Sequence, residues 1–178
     1  MTDTRYDTLT RSLHWLIALL VVASYGIGLF REVMPKGDAR TAMLALHMSL
    51  GLSLLLLMVP RLLNRMVATP LPPVPMAPPM ALAAKLTHIG LYLLLLLLPV
   101  VGLLAAWIKG RTVGLFGLPL PSPFAVNRDL AHTLEEAHEV LGHAMMALAG
   151  LHAAAAIYHH KVLKDGVLAR MLPSRPAA

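Results

Sequence analysis

The segment EEAHEVLGHAMMALAGLHAAAAIYHH, Glu135 to His160, decides how the rest of the chain is read. From Val140 to Tyr158 it has no acidic or basic residue except histidine, yet it carries His138, His143 and His152, with His159 and His160 at its end. At 100° per residue, His138 and His152 return to nearly the same helical face after fourteen positions. At 1.5 Å per residue they stand roughly 21 Å apart along the axis. The same face carries Gly142, Met145 and Ala149 between them, with Ala153 and Ala156 beyond. One helix therefore offers two imidazoles at two depths, with small side chains leaving room beside each. Such a post suits two flat cofactors, one above the other.

The composition fits a membrane setting for this helix. The 178 residues are 57% hydrophobic and 13% charged, with a mean hydropathy of +0.69. By length this is one domain, 1–178. Four stretches are long and apolar enough to cross a hydrocarbon layer of about 30 Å. They are residues 13–30, 43–59, 86–108 and 134–158, and in lipid such segments favour helices. The expected fold is all-α, an integral membrane four-helix bundle. The N-terminal run is too long for a signal-peptide core and lacks a small-residue cleavage pattern, so it is expected to be retained. Thr10 or Ser12 is placed to cap its helix.

The chain has no cysteine, which excludes disulfides, thiolate iron–sulfur ligation and covalent haem attachment. Its net charge of +6 reads as a topology signal and not as a nucleic-acid surface. An even number of spans puts both termini on one side. That side carries Arg5, Arg11, Arg61, Arg65, Lys85, Lys161, Lys164, Arg170 and Arg175 against Asp3, Asp7 and Asp165. The opposite side is balanced between basic and acidic residues. The positive-inside bias then puts both termini in the cytoplasm. Residues 67–79 hold six prolines and read as an extended cytoplasmic linker. The outer connection from Gly110 to Ala131 is long enough to lie over the outer cofactor as a lid.

The other spans supply partners for the two imidazoles. His47 lies near the outer end of the second span, at the depth of His138, and Gly51 follows at i+4. His14 and His88 lie near the inner ends of the first and third spans, at the depth of His152. Taken singly, a histidine at a span's end is more often a snorkelling interfacial residue than a ligand. Ionisable groups inside spans are costly, however, and pairs at matched depth are functional-site candidates. The depths pair His47 with His138 and His14 with His152. Two opposed imidazoles suit a b-type haem with both axial positions filled, a centre for electron transfer and not oxygen binding. Two such haems stacked along the bundle form a wire across the membrane. Arg61, on nearly the same face as His47 and fourteen residues further in, reads either as a positive-inside anchor or as the grip for a cofactor carboxylate. Zinc would need four close ligands, and a cation transporter would place carboxylates mid-span; neither pattern is present. A cofactor-free transporter or scaffold would need no histidine pairs.

The chain also resembles the prokaryotic cytochrome b561 family over residues 5–173, and within it the superoxide oxidase branch. The resemblance rests on RYDTLTRSLHWLIALLVVASY at residues 5–25, LHMSLGLSLLLLMVPRLL at 46–63 and THIGLYLLLLLLPVVGL at 87–103. It rests most specifically on AHEVLGHAMMALAGLHAAAAIYHHKVLKDGVLARMLP at 137–173. Its four histidines fall at His14, His47, His138 and His152. It implies a bacterial inner-membrane oxidoreductase with two non-covalent haems b, taking electrons from superoxide at the outer face and passing them to ubiquinone. For a small anion, Lys109, Arg111 and Arg128, with Arg31, Lys36 and Arg40, offer a basic funnel. For the quinone, His88, Tyr158 and His159 offer hydrogen-bond donors and a proton path. The family also contains members with other donors, so a cytochrome subunit docked to a dehydrogenase or hydrogenase is the alternative.

Overall fold

The computed structural model describes residues 5–172. Four long helices dominate: α1 (Thr8–Val33), α2 (Asp38–Val67), α3 (Pro78–Ile108) and α4 (Arg128–Tyr158). Each is long and apolar enough to cross a membrane. All four extend beyond the expected apolar cores, because their ends carry the polar and basic residues that sit at a membrane's edge.

The caps follow local chemistry. Asp7, and not Thr10 or Ser12, caps α1: its Oδ1 accepts from the Thr10 N–H at 2.8 Å. The Thr10 hydroxyl is used instead to hold the other carboxylate oxygen and to accept from Asn64 Nδ2 at 2.7 Å. Asn127 caps α4 in the same way, from the Leu130 N–H at 3.0 Å. The prolines of the 67–79 linker run extended only as far as Ala77, since Pro78 and Pro79 form the first turn of α3. There their missing N–H groups cost nothing.

The outer connection contains a short antiparallel hairpin, β1 (Val113–Leu115) with β2 (Leu118–Leu120). Its two-residue turn, Phe116 and Gly117, has positive φ at both positions, the geometry that matches strand twist. The buried Ser49 of α2 clamps it: its oxygen accepts from the Phe116 N–H at 3.1 Å, and its one hydrogen is shared between the Gly114 carbonyl at 3.1 Å and the Ala45 carbonyl of its own helix at 2.9 Å.

The helices pack in ring order, α1 on α2, α2 on α3 and α3 on α4, while α1 and α4 touch sparsely. The tight core is small: Ile17, Leu54 and Met58, flanked by Val21, Tyr92 and Leu95. Leu19, Leu56, Leu93, Val140 and Leu151 point outward, an apolar exterior suited to lipid. The two ends of the described residues lie together. The Tyr6 N–H donates to the Arg170 carbonyl at 3.1 Å, and Trp15 Nε1 to that of Met171 at 2.9 Å. Arg170 in turn holds the linker through the Pro72 carbonyl at 2.7 Å. Asp3 and Arg175, part of the charge count behind the cytoplasmic assignment, lie outside the described residues.

Candidate functional site

Two histidine pairs form at two heights. His47 of α2 and His138 of α4 have ring centroids 5.9 Å apart, with planes crossed at 86°. His14 of α1 and His152 of α4 stand 6.3 Å apart at 71°. Both pairings are those expected from depth. All four rings are half-buried, whereas His88, His132, His143 and His160 are exposed.

The outer pair is held by backbone. His47 Nδ1 donates to the Ser24 carbonyl at 2.9 Å, and His138 Nδ1 donates to that of Leu98 at 3.0 Å. With the proton fixed on Nδ1, each ring keeps its Nε2 lone pair for a metal. Glycines allow these positions. A Cβ at Gly102 would stand 2.6 Å from His138 Cε1, and one at Gly28 would stand 3.3 Å from His47 Cε1. A Cβ at Gly51 or Gly142 would meet nothing within 4 Å. Both of these glycines line a cavity of about 650 Å³ that also takes in Ser24, His47 and His138. The cavity continues to the outer edge of the bundle, where Arg31, Arg40, Lys109 and Arg111 line it.

These residues fit a flat iron macrocycle. Two imidazoles bound on opposite sides of one metal, at about 2 Å per bond, have centroids roughly 6 Å apart, and both pairs have that spacing. Among the described residues, no group of three or more histidine or carboxylate side chains is placed to hold a metal ion by itself. Two imidazoles per level would leave the remaining coordination of an iron to a macrocycle.

The inner pair has different surroundings. Arg61 Nη2 lies 3.5 Å from His14 Nδ1, and its guanidinium sits over the Tyr92 ring at 5.4 Å. Its Nε is buried without a hydrogen-bond partner. For His14 to offer Nε2 to a metal, its Nδ1 must carry the proton. Arg61 then cannot donate to it and is left to face another acceptor. His88 approaches His152 from α3, at 5.2 Å between centroids, so the expected third histidine at this level is in place.

Below this level α4 runs into a π-helical turn, His159–Leu163. It turns the His159 ring inward, where it is buried. His159 Nδ1 lies 2.5 Å from Asp165 Oδ2, and Asp165 Oδ1 accepts the Val167 N–H at 3.1 Å. Burial pushes the Asp165 carboxyl up, but the hydrogen bonds from His159 and Val167 outweigh it and hold it below the usual carboxylate value. Tyr158 stays exposed. The Asp165 contact escaped sequence reading, because the residue lies past the helix in what reads as a charged tail.

At the outer edge, Lys109 and Arg111 both pair with Glu135, the latter at 3.2 Å. Arg31 and Arg40 both reach Glu32. Beside them Arg31, Lys36, Arg40 and Arg111 line a smaller pocket of about 280 Å³ that no carboxylate lines. Arg128 opens α4 and is exposed, outside both cavities. Sequence reading gave His143 no role. In the structure its Nδ1 and the Tyr25 hydroxyl are hydrogen-bonded at 2.8 Å, joining α1 to α4 between the two pairs, nearer the outer one.

Four helices long and apolar enough to cross a membrane, with imidazoles paired at two heights and the outer pair oriented by backbone carbonyls, have the frame of a membrane cytochrome. The model of prokaryotic cytochrome b561 matches residues 5–174, and the chain belongs to that family. It is 36% identical over 174 residues to the probable superoxide oxidase CybB of Yersinia pestis, covering 96% of this chain and 97% of that one. It is 32% identical over 174 residues to cytochrome b561 homolog 2 of Escherichia coli, covering 96% and 93%. It is also 32% identical over 184 residues to cytochrome b562 of Cereibacter sphaeroides, covering 96% of each chain. The protein is thus a multi-pass membrane oxidoreductase of the electron-transfer kind, and its family implies b-type haem.

Proposed function

We propose that the chain is a di-haem superoxide:ubiquinone oxidoreductase of the bacterial inner membrane, with both termini cytoplasmic. The observation that carries this is the meeting of two imidazoles, about one metal's width apart, at each of two heights. His47 and His138 would hold an outer haem b, and His14 and His152 an inner one. Haem held between two histidines would supply one-electron transfer.

The chain's own residues provide the rest. Arg31, Lys36, Arg40 and Arg111, with Lys109 and Arg128 near them, draw a small anion toward the outer pair, because a basic concavity raises the arrival rate of anions. On the inner side His88, Tyr158 and His159 are the candidates for holding the quinone. Of these, His159 is held through Nδ1 by Asp165, which leaves Nε2 to exchange a proton with a quinone oxygen. The balance requires two superoxide anions to leave as dioxygen for each ubiquinone that takes up two electrons and two protons. Arg61 lies where it can accept a cofactor carboxylate. Similarity to a probable superoxide oxidase over nearly the whole chain supports the choice of donor.

The test is a pulse of potassium superoxide added under argon to oxidised, haem-loaded protein. The reduced b-haem band should appear at once and decay when ubiquinone is added, with quinol accumulating. Haem that dithionite reduces and superoxide does not would exclude superoxide as donor. Co-purification of an iron–sulfur protein would then point to a docked dehydrogenase or hydrogenase.

A further inference from the structure

We propose that Arg61 gives the wire its direction, by making the inner haem easier to reduce than the outer one. This rests on the di-haem reading above. Oxidised haem carries one more positive charge than reduced haem, so the charges around each pair of ligands bias its potential.

At the outer level both ligand rings donate Nδ1–H to backbone carbonyls, Ser24 for His47 and Leu98 for His138. Such bonds raise ligand basicity and favour the oxidised metal. The four cations that line the cavity there, Arg31, Arg40, Lys109 and Arg111, share it with four carboxylates, Glu32, Glu135, Glu136 and Glu139.

The inner level has the opposite balance. The His14 ring faces a guanidinium at 3.5 Å instead of a carbonyl. Arg61 has no carboxylate partner among the described residues. The described inner carboxylates are taken up elsewhere, Asp7 by Thr10 and Asp165 by His159. Arg61 also sits partly within the bundle, over Tyr92, where a charge acts more strongly than in water. A fixed positive charge beside the ligand opposes the oxidised iron. Each haem b brings the same carboxylates of its own, so the difference between the levels comes from the protein. An electron delivered outside therefore runs downhill toward the inner face.

Redox titration of single-haem variants tests this. His47→Ala leaves the inner haem and His152→Ala leaves the outer one; the inner midpoint should be the higher. Adding Arg61→Gln to His47→Ala should shift the inner midpoint down, toward the outer value. Adding Arg61→Lys, which keeps the charge, should leave it close to that of the parent. An inner midpoint at or below the outer one overturns the proposal, as does an inner midpoint that Arg61→Gln does not move. If Arg61→Gln leaves the inner level without haem, the order of the two parent midpoints decides alone. Purified wild-type protein that binds no haem would sink the di-haem reading itself, whereas bound haem with the order reversed sinks only the role of Arg61.

Discussion

At the scale of single residues, each imidazole belongs to one level, and each substitution should report on that level. Replacing His47 or His138 with Ala should remove the outer haem and leave the inner one, and His14→Ala or His152→Ala should do the reverse. Haem content measured against protein should fall by about half in each variant. The glycines make a finer test. Gly102→Ala forces a methyl group to 2.6 Å from the His138 ring, whereas Gly28→Ala brings one to 3.3 Å from His47. The first must displace its histidine; the second needs a shift of a few tenths of an ångström. Outer-haem retention should fall markedly in Gly102→Ala and little in Gly28→Ala. The two histidine pairs were legible in the sequence, because a fourteen-residue spacing on one helix fixes both face and depth. Their orienting partners were not: Ser24 and Leu98 act through backbone carbonyls, which any side chain can present. Asp165 and the Tyr25–His143 bond escaped for a related reason, since each contact depends on how segments meet.

At the scale of elements, α1 and the hairpin depend on small polar contacts. The hydrogen bonds from the Thr10 side chain and N–H hold the Asp7 carboxyl below its usual value. Because the folded value is lowered, this contribution to stability is present in full above the ordinary carboxylate range and is lost as pH falls through the lower folded value. Asp7→Ala should therefore destabilise α1 by about 1 kcal/mol at neutral pH, at the small end because Asp7 is exposed. The gap in thermal midpoint between variant and parent should start to narrow as pH falls below the ordinary carboxylate value of about 4. Ser49→Ala should free the hairpin from α2, leaving the Phe116 N–H and Gly114 carbonyl without a side-chain partner at a cost of about 1–2 kcal/mol. Faster proteolysis within residues 113–120 would report it. The number and order of the helices were readable from runs of apolar residues. The hairpin was not, because two three-residue strands carry no usable periodicity and only the positive φ of Phe116 and Gly117 marks their turn.

At the scale of the whole molecule, the charge distribution makes two claims that can be measured. Reporter fusions at either terminus should read as cytoplasmic, in keeping with both ends of the described chain lying at one end of the bundle. If the basic outer pocket gathers a small anion, the second-order rate of haem reduction by superoxide should fall as salt rises from 0.01 to 0.15 M, where the screening length shrinks from about 30 Å to 8 Å. Arg31→Gln with Arg40→Gln should flatten that dependence. A rate indifferent to salt would assign the pocket no part in capture.

The sparse contact between α1 and α4 gives the bundle the form of a book bound along α2 and α3. Among the described residues, Tyr25–His143 is the one side-chain hydrogen bond between α1 and α4 themselves, although Arg11 and Trp15 fasten α1 to the segment beyond α4. A flat, greasy pigment can therefore slide in edgewise from the surrounding bilayer after the polypeptide is threaded, with no need for the spine to come apart. The edge between α1 and α4, and not the spine, is where the bundle is most easily parted.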